Sequence, residues 1–138
     1  GVGRGFVREQ MVTDVFEMIQ RRLAAIDERL DGHYYCPHLI DAPVEAYRCQ
    51  CSCHKPLPGM IEQAVAELDL DVSRSYVVGD RWTDIQLARS VGAKAVLVKT
   101  GYGVTQLADP PPGETADAVL ENLIEAVGWV ISQPVRSS

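Results

Sequence analysis

No stretch of about eighteen consecutive apolar residues occurs in the 138-residue chain, so no membrane-spanning helix is expected. A basic excess is missing as well: 13 Lys and Arg stand against 19 Asp and Glu, giving a net charge of −6 and a pI near 5.0. A surface of that sign repels phosphate backbones, so neither nucleic acid nor membrane is expected as a partner. Repeats and low-complexity tracts are absent apart from the short, stiff turn Asp109-Pro110-Pro111-Pro112-Gly113. No apolar leader pattern is present, which makes a cytoplasmic, reducing setting the expectation. Cysteine is scarce, with four in the chain, and all of them fall within residues 36–53. The remainder, 46% apolar and 23% charged, has the balance of one globular domain.

The cysteines are arranged as Cys36-Pro37-His38 and then Cys49-Gln50-Cys51-Ser52-Cys53. Two short Cys/His clips a dozen or so residues apart are the spacing that closes a tetrahedral zinc site. The alternatives are disulfides or unrelated thiols. A bridge within Cys-x-Cys would be badly strained, because bridged Cα atoms sit about 5.5 Å apart, and two bridges would leave His38 unexplained. Zinc is therefore expected on Cys36, His38, Cys51 and Cys53, since those clips share one spacing, with Cys49 a spare thiol. Four protein ligands leave no open position, so a structural role for a zinc loop over about 36–53 follows.

Along the chain, residues 1–6 read as a loop. Over 8–30 apolar residues recur at helical spacing, Met11, Val15, Ile19 and Leu23 in one row and Val12, Phe16, Ile26 and Leu30 beside it, with Asp31-Gly32 as the stop. His33-Tyr34-Tyr35-Cys36 reads as a strand entering the metal loop. Pro58-Gly59-Met60 opens a second helix with Met60, Ile61, Val65 and Leu68 on its buried side. Residues 75–80 and 94–99 are β-forming runs, 83–88 a helix closed by Gly92, and 120–132 a last helix with Leu123, Ile124, Val127 and Val130 facing inward. Alternating strands and helices predict an α/β fold with a parallel sheet, whose ligands gather at the carboxyl ends of the strands, where Asp80 and Thr100-Gly101 lie.

Gly79-Asp80-Arg81-Trp82-Thr83-Asp84 sets two carboxylates around a helix start. Such oxygens suit magnesium; the plainer reading is that Asp80 or Thr83 caps the helix. Lys55, between the cysteine cluster and two prolines, is either a solvated loop lysine or a fixed ammonium able to neutralise phosphate.

Cys-x-Cys-x-Lys-Pro-x-Pro-Gly-Met, then Tyr-Val-Val-Gly-Asp-x-x-x-Asp, then a strand leading to Thr-Gly together resemble the haloacid dehalogenase superfamily of aspartate-nucleophile phosphatases. Within it the pattern is similar to the zinc-loop branch of D-glycero-D-manno-heptose 1,7-bisphosphate 7-phosphatases and histidinol-phosphate phosphatases. The likeness runs from Gly3-Arg4-Gly5 to about Gly103. It implies a Rossmann-like parallel sheet with helices on both faces, Mg²⁺ on Asp80, Lys55 on the transferred phosphoryl group, Asp84 supporting the Asp80 loop, and Arg81 on substrate. The implied substrate is a small-molecule sugar phosphate, and the complete protein is expected as a monomer.

The pattern departs from the family in two places. His54 stands where the heptose branch commonly has arginine, so it binds phosphate when protonated or simply packs. The chain also contains no Asp-x-Asp-Gly nucleophile motif, and Asp69-Leu70-Asp71 sits at a helix end where no nucleophile belongs. Residues 1–138 are accordingly expected to be a single domain incomplete at its amino terminus, lacking its first strands. The rivals are histidinol-phosphate hydrolysis and a non-catalytic zinc-stabilised fragment. Arg4 is a candidate substrate contact or an exposed loop arginine, and Trp82 is either site wall or plain core, its place after Asp80 favouring the wall.

Overall fold

Two runs of β-branched and small apolar residues form the centre of the sheet. In the computed structural model, which describes residues 1–135, they become β1 (Tyr76–Gly79) and β2 (Lys94–Val98), joined in parallel register from Tyr76 opposite Lys94 to Gly79 opposite Leu97. A third parallel strand, β3 (Ala118–Leu120), pairs with the far side of β2, giving the order β1-β2-β3. Parallel strands need a helical crossover between them. Helix α3 (Trp82–Val91) supplies the crossover from β1 to β2 and stops at Gly92, whose φ of 80° is the left-handed turn that glycine adopts without penalty.

Successive residues of a strand point to opposite faces, and the core divides accordingly. Val77, Ala95 and Leu97 pack with Trp82, Ile85 and Ala88 of α3 on one face. Val78, Val96 and Val98 pack on the other against Ala126 and Trp129 of α5 (Leu123–Ser132). Ile85, Leu97 and Val96 are fully buried, and each contributes roughly 1.5–3 kcal/mol relative to exposure. Helices on both faces of a parallel sheet are the expected α/β architecture.

Several expectations need correction. Helix α1 spans Glu9–Ala24, short of Asp31-Gly32. Asp27 takes φ 59° and the Glu28 amide donates to the Leu23 carbonyl, so a left-handed turn ends the helix early. Val12, Phe16 and Leu23 are half-buried, whereas Met11, Val15 and Ile19 are exposed. Tyr34 and Tyr35 form no strand, and their hydroxyls instead donate to Glu67 and Glu9, both at 2.8 Å. In α5 the inward face is Ala126, Trp129 and Val130, with Leu123, Ile124 and Val127 exposed. Trp82 is core, not site wall: it is 7% exposed and its indole N–H donates to the Gln106 carbonyl. Helix α2 (Gly59–Leu68) begins as expected and half-buries Met60, Ile61, Val65 and Leu68. A short α4 (Gly103–Ala108), like β3, was not foreseen.

Among the described residues β1 has β2 as its one neighbour, so its other edge offers unpaired backbone groups, and the exposed apolar residues of α1 and α5 add to the uncovered surface. Expressed as these 138 residues alone, the polypeptide should self-associate at micromolar concentration. Light scattering coupled to size-exclusion chromatography checks this, and a monodisperse monomer would contradict it.

Candidate functional site

The residues between α1 and α2 carry little regular structure, yet backbone pairing folds them back on themselves. Leu39 donates its amide to the Tyr47 carbonyl at 3.0 Å and forms an isolated parallel bridge with Arg48, whose Nε donates to the Ala42 carbonyl at 2.7 Å. Ala42 is fully buried beneath this turn. The Gly59 amide donates to the Ser52 carbonyl at 2.8 Å, fastening the second clip to the start of α2. Glu9 of α1 accepts from the hydroxyls of Tyr35 and Tyr47, at 2.8 and 2.9 Å, and these donors hold its carboxyl below the usual carboxylate range. One carboxylate thus ties both approaches to the loop.

The two clips converge. Cys36, His38, Cys51 and Cys53 present ligand atoms that all lie within 4.8 Å of one another, the set expected from spacing. Cys53 Sγ lies 2.6 Å from Cys36 Sγ, 3.4 Å from Cys51 Sγ and 3.5 Å from His38 Nδ1, and all four cysteines of the chain are free thiols. Cys49 is exposed and stands outside the cluster. Burial, followed by the neighbouring Cys36 and Cys51 sulfurs, pushes the Cys53 thiol up to about 12. Burial also raises Cys51, but donors from Cys53, Cys36 and His54 outweigh it and bring that thiol down to about 7. Sulfurs this crowded resist accumulating negative charge, and a divalent cation relieves the conflict. Three thiolates and an imidazole are the donor chemistry of zinc.

A second group of side chains forms at the carboxyl end of β1. Asp84, on the first turn of α3, is buried and accepts the Arg81 amide at 3.2 Å, an N3 carboxylate reaching back to the helix start. Its other oxygen accepts Lys55 Nζ at 2.6 Å. Lys55 is thereby fixed, although its side chain is 43% exposed, so solvent weakens the pair. Asp80 does not cap α3. Its Oδ2 crosses to the loop after β2 and accepts the Tyr102 amide at 2.8 Å.

Two glycines make this corner possible. A Cβ on Gly79 would strike the Asp84 carboxylate, and one on Gly101, where φ is +63°, would strike that of Asp80. Arg81 lies over the Tyr102 ring, with Cζ 4.0 Å from its centroid. Arg4 and His54 are both exposed. Gly3 is buried against the Pro37 carbonyl, which brings the loop of residues 1–6 onto the loop of the Cys/His cluster. The sequence reading placed Thr100-Gly101 at a ligand-gathering strand end but missed Tyr102 as a site component; its signal was position alone, directly after Gly101.

Residues 52–126 match the model of the HAD-hydrolase-like family. The chain is 42% identical over 128 residues to the D-glycero-beta-D-manno-heptose-1,7-bisphosphate 7-phosphatase of Yersinia pestis, covering 91% of this chain and 65% of that protein. It is 38% identical over 135 residues to the enzyme of the same name from Haemophilus ducreyi, covering 94% of this chain and 70% of that one. A crystal structure of the D,D-heptose 1,7-bisphosphate phosphatase of B. bronchiseptica, complexed with magnesium and phosphate, superposes with a TM-score of 0.77 at 30% identity, covering 97% of this chain and 70% of that one. The chain thus spans about two thirds of the length of the relatives it matches. No helix among the described residues is long and apolar enough to cross a membrane.

Proposed function

The chain belongs to the HAD-hydrolase-like family, and from that premise we propose that the complete protein hydrolyses a sugar phosphate monoester, D-glycero-D-manno-heptose 1,7-bisphosphate, to the 1-phosphate. The observation that carries this reading is the fixing of Lys55 by Asp84 beside the Asp80 corner, at the ends of two parallel strands. A held ammonium next to a carboxylate is what a transferring phosphoryl group requires, since most of its rate comes from positioning and charge stabilisation.

Lys55 neutralises the phosphoryl oxygens, and Asp84 keeps its ammonium in place. Asp80 would hold magnesium, which when bound offsets charge on those same oxygens. Arg81 contacts the substrate, with His54 and Arg4 reaching it from the exposed rim. Zinc on Cys36, His38, Cys51 and Cys53 shapes the mouth of the site and holds the segment leading into Lys55, its closed ligand set leaving no place for chemistry. The attacking aspartate lies in no Asp-x-Asp-Gly of these residues. We place it elsewhere in a longer gene product, where it forms the aspartyl-phosphate that water then opens. Free thiols favour a cytoplasmic location.

The test is a paired assay of the complete gene product with heptose 1,7-bisphosphate and histidinol phosphate, with and without magnesium. Heptose bisphosphate should have the higher kcat/KM, with turnover lost on removing magnesium. A preference for histidinol phosphate would reassign the substrate, and turnover of neither would leave a zinc-stabilised domain without catalysis.

A further inference from the structure

Arg81 and Tyr102 come from different strand-to-helix loops, after β1 and after β2, and meet where the Asp80 carboxylate holds the Tyr102 backbone. The Tyr102 amide donates to Asp80 Oδ2 at 2.8 Å, while its ring lies 4.0 Å from the Arg81 guanidinium carbon. The Arg81 backbone is fixed independently, extended at φ −134° and ψ 151°, with its amide on Asp84. A long, exposed arginine would otherwise sample many rotamers. Stacking on an aromatic face limits that sampling and leaves the in-plane N–H edges of the guanidinium free for a forked contact with an oxyanion.

We propose that Tyr102 is a positioning residue: its ring holds Arg81 so that the guanidinium fork meets an anionic group of the substrate beside Asp80. This deepens the phosphatase reading and rests on it, because the anion served is a phosphate of the sugar. Tyr102 acts through Arg81 and touches no reacting atom. The phenol hydroxyl has no part in the contact, so the ring alone carries the effect.

The experiment compares the complete gene product with its Tyr102→Leu and Tyr102→Phe variants, titrating each with inorganic phosphate in the presence of magnesium and following the Arg81 Nε–H resonance by NMR. An exposed cation–π contact corresponds to about a two- to five-fold difference in affinity. Tyr102→Leu should bind phosphate about two- to five-fold more weakly, raise KM for heptose bisphosphate by a similar factor with a smaller change in kcat, and lose the ring-current shift at Arg81. Tyr102→Phe should keep all three at native values.

If Tyr102→Leu matches the native protein, or Tyr102→Phe is as weak as Tyr102→Leu, the inference is overturned while the phosphatase reading stands. If the native protein binds no phosphate, the phosphatase reading falls and takes the inference with it. Should Tyr102→Leu fail to fold, Arg81→Lys keeps the charge and removes the planar stack. The same loss is then expected, and native affinity in that variant would overturn the inference.

Discussion

Replacing Cys53 with serine is expected to abolish zinc binding and release residues 36–53, while β1, β2 and β3 stay paired. Cys53 lies within 3.5 Å of all three partner ligands, so no rearrangement of the other side chains makes up a fourth donor from within the cluster. Structural zinc supplies about 10–16 kcal/mol of apparent binding energy in small zinc domains, far more than this loop recovers by burial. Within residues 36–53 Ala42 is the one buried residue, and the sheet core is built from other segments. Elemental analysis should fall from about one zinc per chain to none. Hydrogen exchange should show loss of protection at Leu39 and Arg48 with β2 unaffected. Cys49→Ser, outside the cluster, should keep its metal. A full zinc complement in Cys53→Ser would refute the ligand assignment.

Lys55→Met should lower kcat/KM of the complete gene product by about 10²–10³-fold, the usual loss when one preorganised charge-stabilising donor is removed. The methionine keeps most of the stem length, so the deficit reports the ammonium. The same change strands Asp84, whose side chain is 7% exposed and which loses its 2.6 Å partner. Breaking a fully buried pair costs about 3–5 kcal/mol; with Lys55 43% exposed, solvent already screens this one, and about 1–2 kcal/mol is expected in urea unfolding. Adding Asp84→Asn to Lys55→Met should recover part of the stability and none of the activity. Wild-type turnover by Lys55→Met would remove the lysine from the mechanism.

The convergence of Cys36, His38, Cys51 and Cys53 was legible because Cys-x-His and Cys-x-Cys spacing is itself a geometric constraint, and the loop had one economical way to satisfy it. β1 and β2 were legible for another reason: Val77-Val78, half-buried, and Ala95-Val96-Leu97-Val98, buried, pack on both faces of the sheet and read as unbroken apolar runs. Tyr34 and Tyr35 have equal β tendency but no neighbouring strand, and their hydroxyls fasten to Glu67 and Glu9 instead. Helix α5 is apolar nearly all round, so periodicity could not say which face turns inward; the small Ala126 decided it by fitting against Val96 and Val98. Asp27 ended α1 through a left-handed conformation that no motif announces. Tyr102 escaped notice because its role depends on a loop crossing from another strand, a relation that exists only once the sheet is formed.

Gly79 and Gly101 flank the acidic corner where any side chain would collide with Asp84 or Asp80, and a Cβ on Gly103 would meet the Val98 carbonyl just behind it. The placing of both carboxylates is therefore drawn by vacancy: they lie where the main chain leaves hollows of their own size. Exposed neighbours such as Arg4 and His54 vary without touching those hollows, whereas any side chain set into them drives the carboxylates from their places.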